Sequence, residues 1–206
     1  MKAAKTNTPL QQAGISPARV QTQTLSLSEV GSASVVRLHS LAAADAVASA
    51  ITTSGVHLPF EVNHSLGVDP IALCLRPNEW LIFSEHLEAS SLLQRLEPAL
   101  NCNESTVLDL SDGLATLRLV GTGAPWLLSK LSGLDFLSMN DAGQHCARTR
   151  IVQAAVVVHY HPLVHSQSEF AHDLIFDRSI TRYLWKMLMA SAPHADELAR
   201  SIGKAL

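Results

Sequence analysis

Histidine is the side chain of this sequence that most invites chemistry. His159 and His161 alternate in "AAVVVHYH", so on an extended strand both rings share one face. His165 follows four residues on, and His172 falls across the hairpin that the pattern predicts. Such spacing suits a divalent metal, for which neutral imidazole is a common ligand. No cysteine or carboxylate stands at a fixed spacing to complete a ligand set. A polar strand end also reads as histidines that face water or a partner, where titration near neutral pH would make an interface pH-sensitive.

Other residues offer chemistry only in part. No GxSxG or HExxH occurs. A Cys146 nucleophile would need His145 as its base, yet neighbours on an extended segment point to opposite faces. "VGTGAPW" lacks both the GxxxxGK[ST] pattern and the third glycine of GxGxxG, so Gly121 and Gly123 read as turn and cap. In "VLDLSDG", Asp109, Ser111 and Asp112 could serve as acid–base groups or could form a turn whose short side chains bond the local backbone. The stretch "LRPNEWL" reads as a turn at Arg76–Glu79 with Trp80 returning to the core; a ligand role for Glu79 or Trp80 is the alternative. Arg118, Arg148 and Arg150 fall on predicted strands, where a guanidinium needs a carboxylate or a protein edge. With Glu79 they are the candidates for partner contact, and ordinary solvent-facing strand residues are the plain alternative. Trp126 and Trp185 lie in amphipathic helices and read as core.

The elements that would position these residues belong to a chain able to bury a core, since 206 residues are 47% hydrophobic. A net charge of -3 without a long basic run disfavours nucleic acid, whose affinity rests on neutralised phosphates. Cys74, Cys102 and Cys146 lie far apart with no CxxC, which suits reduced thiols and a cytoplasmic protein. No stretch has the length of a signal peptide's apolar region or a membrane span, so neither is expected. The polar start, broken by Pro9 and Pro17, is expected to be an arm over residues 1–25, ahead of one domain over 26–206.

Within that domain two halves repeat, at about 30–100 and 105–200. In the first, "SASVVRLHS" predicts a strand, "LAAADAVASAITTSG" a helix, "IALCLRP" and "EWLIFSE" a strand pair, and "LEASSLLQRLEPAL" a helix. In the second the same order runs through "LATLRLVG", "TGAPWLLSKLSGL", "ARTRIVQAAVVVHYH" with "FAHDLIFDRS", and "ITRYLWKMLMASA". "LIFSEHLEASSLLQRL" from 81 lies against "LIFDRSITRYLWKML" from 174 as the clearest echo. Two β-α-β-β-α units predict an α+β fold of antiparallel sheets with helices packed on one side.

Several marked segments resemble one family in order, from about residue 8 to 192. "LRPNEWLIFSE" is similar to the G-P-D-E-W-L segment of the gamma subunit of heterotetrameric sarcosine oxidase, and "TPLQQAG" to that family's short S-P-L arm. "LPFEVNHS" resembles its L-P-x-x-P-N-T approach, and "VLDLSDGLATLRLVG" its V-x-D-V-S-D region. "CARTRIVQ" and "RSITRYLWKML" resemble its C-A-Q-T-R and R-S-F-x-x-Y-L-W segments. Departures are His64-Ser65 in place of Asn-Thr, the histidine-rich strand end, and the entry "QTQTLSLSEVGS".

The resemblance implies a fold like the folate-binding module of glycine-cleavage aminomethyltransferases. It implies a non-catalytic subunit that binds no cofactor, partnered by alpha, beta and delta chains that carry FAD, FMN, NAD and zinc. Their joint reaction demethylates sarcosine to glycine and passes the one-carbon unit to tetrahydrofolate. A free-standing folate-binding protein is the other reading. Aminomethyltransferases place a catalytic aspartate on the strand matching "VVVHYH", where Val156, Val157 and Val158 offer no carboxylate.

Overall fold

The computed structural model describes residues 8–15, 19–31, 33–101, 103–137, 145–163 and 166–203, so Cys102 and His165 lie outside the described residues. The chain opens with a short helix, α1 (Pro9–Gln12), whose Thr8 cap accepts the Gln11 N–H. Leu10 is fully buried and its N–H donates to Glu29 Oε1 at 2.9 Å. Strands β1 (Arg19–Gln21) and β2 (Ser26–Glu29) follow.

The first repeat is β3 (Ser34–Ser40), α2 (Ala44–Ala50), β4 (Ser65–Gly67), β5 (Ile71–Arg76), β6 (Glu79–Ser84) and α3 (Ala89–Leu96). After β7 (Ser105–Asp109), the second is β8 (Leu114–Val120), α4 (Ala124–Leu131), β9 (His145–Ile151), β10 (Ala154–Leu163), β11 (Ser166–Asp177) and α5 (Thr181–Gly203). Among the described residues no helix is long and apolar enough to cross a membrane.

Among the described residues the strands pair antiparallel, in a six-stranded sheet β1-β2-β8-β11-β10-β9 and a five-stranded sheet β4-β5-β6-β3-β7. Each sheet carries helices on one face, as the α+β expectation requires. Leu127, Leu184 and Leu188 pack on the six-stranded sheet, and Val47, Leu92 and Leu96 on the five-stranded one. The remaining faces meet each other through Val35, Leu73, Leu81, Phe83 and Ile175. This third core explains why "IALCL" and "WLIFS" are continuous apolar runs: both faces of β5 and β6 are covered.

The repeats exchange strands. β2 precedes the first repeat but pairs with β8 of the second, while β7 precedes the second but pairs with β3 of the first. Each sheet is therefore completed by chain from the other side of a repeat boundary.

Three local expectations are corrected. "ARTRIVQAAVVVHYH" is two strands rather than one, β9 and β10, reversed at Val152 and Gln153. Val152 adopts φ 57°, unusual for a β-branched residue, so no glycine or proline announces the turn. The closing helix does not stop at Ala192 but runs through Pro193 to Gly203, because Ala192 and Ala195 are buried there. The aligned "LIF" triplets do not share faces: Leu81 lies between the sheets and Leu174 faces the helices. A one-residue offset inverts every side chain of a strand, and the true correspondence pairs Leu81 with Asp173.

Gly121 shows how tightly the entry turn is docked. Its φ is +112°, and a Cβ there would run into the Thr24 carbonyl of the β1–β2 turn. That turn is itself held by Asp196 on α5, whose carboxylate accepts Thr22 Oγ1 at 2.8 Å and the Thr24 N–H at 3.0 Å. Gly121→Ala is expected to cost about 1–3 kcal/mol, through strain and the displaced turn. Gly113→Ala, where the nearest atom is the Leu110 oxygen at 3.6 Å, serves as control. Equal urea midpoints for both variants would show the close approach to be unimportant.

Candidate functional site

The densest polar cluster lies on the inner face of the six-stranded sheet. Strand register sets Arg118 of β8, Asp173 of β11, His159 of β10 and Cys146 of β9 in one row. Arg118 donates from Nε to Asp173 Oδ1 at 2.7 Å and from Nη2 to Oδ2 at 2.6 Å, a bidentate pair. A second bond from Nη2 reaches Glu85 Oε1 at 2.7 Å, at the end of β6 in the other sheet. His161 Nε2 lies 3.1 Å from Asp173 Oδ2, and its Nδ1 lies 3.0 Å from the Pro162 carbonyl. His159 stacks on His161 with centroids 4.5 Å apart, and its Nε2 meets Ser65 Oγ of β4 at 3.0 Å.

Burial governs the charges here. It opposes ionisation of Asp173, but hydrogen bonds from Arg118 and His161 outweigh it and hold the carboxyl well below the usual range. Burial likewise disfavours the Arg118 cation, and Asp173 and Glu85 outweigh it, so the guanidinium stays charged. No such compensation reaches His159. Burial, then the neighbouring His161, pushes its pKa down to about 3, so the ring is neutral.

The histidines therefore differ from their expectation. His159 and His161 are buried rather than solvated, at 1% and 7% exposure. The carboxylate found missing from sequence spacing is Asp173, which the hairpin sets opposite His159. His172 leaves the group, because it pairs with Tyr160 on the opposite face and packs edge-on against Phe136. Ligand atoms of His159, His161 and Asp173 lie within 4.8 Å of one another, close enough for a metal. Both oxygens of Asp173 are already engaged by a guanidinium, however, and a divalent cation would have to displace that charge.

The first repeat carries the same row in different chemistry. Arg37 of β3, Leu81 of β6, Leu73 of β5 and Ser65 of β4 pair in the corresponding order. Where the second repeat has Asp173 and His159, the first has Leu81 and Leu73. The backbone does not require the buried polar row, which is specific to the second repeat.

The other candidates separate along the seam between the sheets. Arg148 Nη2 bonds Glu79 Oε1 at 2.9 Å across the sheets, and Arg76 Nε lies 3.9 Å from Glu79 Oε2. Burial would raise the Glu79 carboxyl, but Arg148, Arg37 and Arg76 bring it below its ordinary value. Arg150, on the same face two residues beyond Arg148, is exposed. Arg118 is spent on internal carboxylates, so the structure separates it from Arg148 and Arg150. The signal for its role lay in Asp173, which strand alternation alone did not link to it.

The remaining motifs resolve into structure. Asp109 Oδ1 accepts the N–H and hydroxyl of Ser111, and Ser111 Oγ accepts the Val35 N–H, the turn reading of "VLDLSDG". The Thr24 carbonyl accepts the Gly123 N–H at 3.0 Å, filling the mouth of the glycine turn. Trp80 is fully buried and its indole donates to the Pro59 carbonyl at 2.8 Å. Cys146 is buried with its thiol pushed up to about 12, by burial and then by Cys74, unlike a nucleophile.

No family model matches the sequence, and no curated protein matches it. Solved structures do. The fold is similar to that of a chain in the heterotetrameric sarcosine oxidase from Corynebacterium sp. U-96, in complex with pyrrole 2-carboxylate. The TM-score is 0.76 at 23% identity, covering 92% of this chain and 96% of that one. It is also similar to glycine cleavage system aminomethyltransferase T from Bartonella henselae, with a TM-score of 0.59 and 13% identity over 81% of this chain. The match covers 45% of the aminomethyltransferase, so this chain spans under half of that protein's length. The α+β, aminomethyltransferase-like fold expected from the sequence is the fold observed.

Proposed function

We propose that this chain is the non-catalytic gamma-type subunit of a heterotetrameric sarcosine oxidase. The observation that carries the reading is mutual coverage: nearly the whole chain matches nearly the whole of one oxidase chain, against less than half of the aminomethyltransferase. The motifs in "LRPNEWLIFSE" and "RSITRYLWKML" favour the same family. In this reading the chain holds no cofactor, and FAD, FMN, NAD and zinc belong to alpha, beta and delta partners. The assembly would demethylate sarcosine and pass the one-carbon unit to tetrahydrofolate. The internally satisfied Arg118–Asp173–His161 network is consistent with a structural part rather than a reacting one. A cytoplasmic setting suits the free thiols of Cys74 and Cys146.

The likeness to an aminomethyltransferase favours one second reading, a free-standing folate binder. Val156, Val157 and Val158, on the strand that would match that family's aspartate, offer no carboxylate, which weighs against methyl transfer.

A tagged copy isolated from its native host tests the proposal. The expected eluate contains a large oxidase chain, absorbs as a flavoprotein and oxidises sarcosine. A colourless chain alone that binds tetrahydrofolate would overturn the subunit reading in favour of the folate binder.

A further inference from the structure

Beyond the sheet-on-sheet core, the inner face of the five-stranded sheet continues outward as a ledge that is exposed among the described residues. Val35, Leu73 and Leu81 on this face are buried against the opposite sheet, but Arg37 on the same face of β3 is exposed. Arg76 at the end of β5 is 66% exposed, and Arg148, reaching across from β9, is 40% exposed. Arg150 extends the row along β9, and Leu108 of β7 adds an exposed apolar side chain beside Arg37.

Charge on this ledge is unbalanced. Three guanidiniums, of Arg148, Arg37 and Arg76, act on Glu79, with Arg150 two residues beyond Arg148 on β9; Glu79 is the carboxylate that the described ion pairs place among them, and it is only 11% exposed. Arg37 and Arg150 have no ion-pair partner among the described residues. The chain as a whole carries -3, so the excess is local and opposite in sign to the molecule. Arginine forks are shaped for carboxylates, and Glu79 takes up little of that capacity.

We propose that this ledge docks an extended acidic segment of a partner chain, with aspartate or glutamate side chains bridging Arg37, Arg76, Arg148 and Arg150 across the seam. The proposal rests on the subunit reading for the identity of the partner, but its chemistry belongs to this chain alone. Glu79 pairs with Arg76 and Arg148 while Arg37 and Arg150 lie outside its ion pairs, which favours a row of acidic side chains over a small anion. β6 separates β3 from β5, which puts them about 10 Å apart, and β9 belongs to the facing sheet, about 10 Å away, a span that carboxylates a few residues apart on an extended segment could cover.

The test uses the full chain and a fluorescein-labelled oligoglutamate peptide, with binding read by anisotropy at low and moderate salt. Wild type is expected to bind, with affinity falling as salt rises. Arg37→Ala with Arg150→Ala is expected to weaken binding about tenfold, since each exposed pair contributes modestly. Lys130→Ala with Arg182→Ala, which removes two exposed cations elsewhere, should stay within about twofold of wild type. Equal loss in both double variants, or no binding at low salt, overturns the ledge as a specific site. Competition by free glutamate at matched carboxylate concentration also overturns it, in favour of a single-anion site. These results are independent of the native-host isolation. Peptide binding without a recovered oxidase chain keeps the ledge and sinks the subunit reading, and a recovered oxidase chain with no peptide binding does the reverse.

Discussion

Asp173→Asn is expected to destabilise the protein by about 3–5 kcal/mol. The substitution barely changes shape, so the loss is electrostatic. Asp173 is 1% exposed and accepts two bonds from Arg118 and one contact from His161. With the charge gone, a largely buried guanidinium keeps Glu85, which is 38% exposed, as its remaining anion. A largely buried cation left with one partly exposed anion is costlier than a missing hydrogen bond.

The first repeat supplies the complementary experiment. Its matching position is Leu81, packed in the core between the sheets, so this architecture accepts an apolar side chain there. Arg118→Met together with Asp173→Leu is therefore expected to recover more than half of the stability lost in the single variant. His161 Nδ1 then still faces the Pro162 carbonyl, and Glu85 turns to solvent. Urea midpoints of the wild type, single and double variants decide the matter. A double variant less stable than Asp173→Asn would show that the polar row supports the fold in a way its apolar counterpart does not.

How much of this could be read beforehand depended on whether the determining interaction was local. Helix and strand order followed from apolar spacing, because Leu92 and Leu96, or Val36 and Leu38, face one core at the period their element dictates. The short strands β1, β2, β4 and β7 lack that signal: their side chains are partly exposed and the strands exist because a neighbour supplies hydrogen bonds. The polar row was half legible. Alternation placed His159 and His161 on one face, but their carboxylate comes from a partner strand whose register shifts between Pro162 and Leu163. Arg118 and Asp173 are 55 residues apart, and nothing in either neighbourhood announces the pair. The family motifs named the fold correctly while remaining silent on this row, which is a departure from the first repeat and not a feature of the backbone.

Acid is expected to begin destabilising the protein from about pH 6.5, before its carboxylates titrate. His159 is pushed down to about 3 by burial and then by His161, and His172 to about 4 by burial, which outweighs the attraction of Asp173. In the unfolded chain each ring titrates near its ordinary value of about 6.5. Between these values the unfolded chain holds protons that the folded chain refuses, so stability rises with pH and falls as pH drops from about 6.5 toward 4. Each histidine contributes about 1.4 kcal/mol per pH unit over that window, a large share of the stability of an ordinary domain. Asp173 acts elsewhere: its depressed carboxyl contributes stability that is lost only at lower pH, below its ordinary value. His172→Leu separates the histidines. Neither ring nitrogen of His172 has a hydrogen-bond partner among the described residues, so removing them relieves a buried polar cost of about 1–3 kcal/mol. At pH 7 the variant is therefore expected to be at least as stable as wild type, and its acid slope to be about half as steep. Urea midpoints between pH 4.5 and 7 measure both effects. A flat wild-type profile would mean that the rings gain protons without unfolding, and an unchanged slope in the variant would assign the effect to His159 alone.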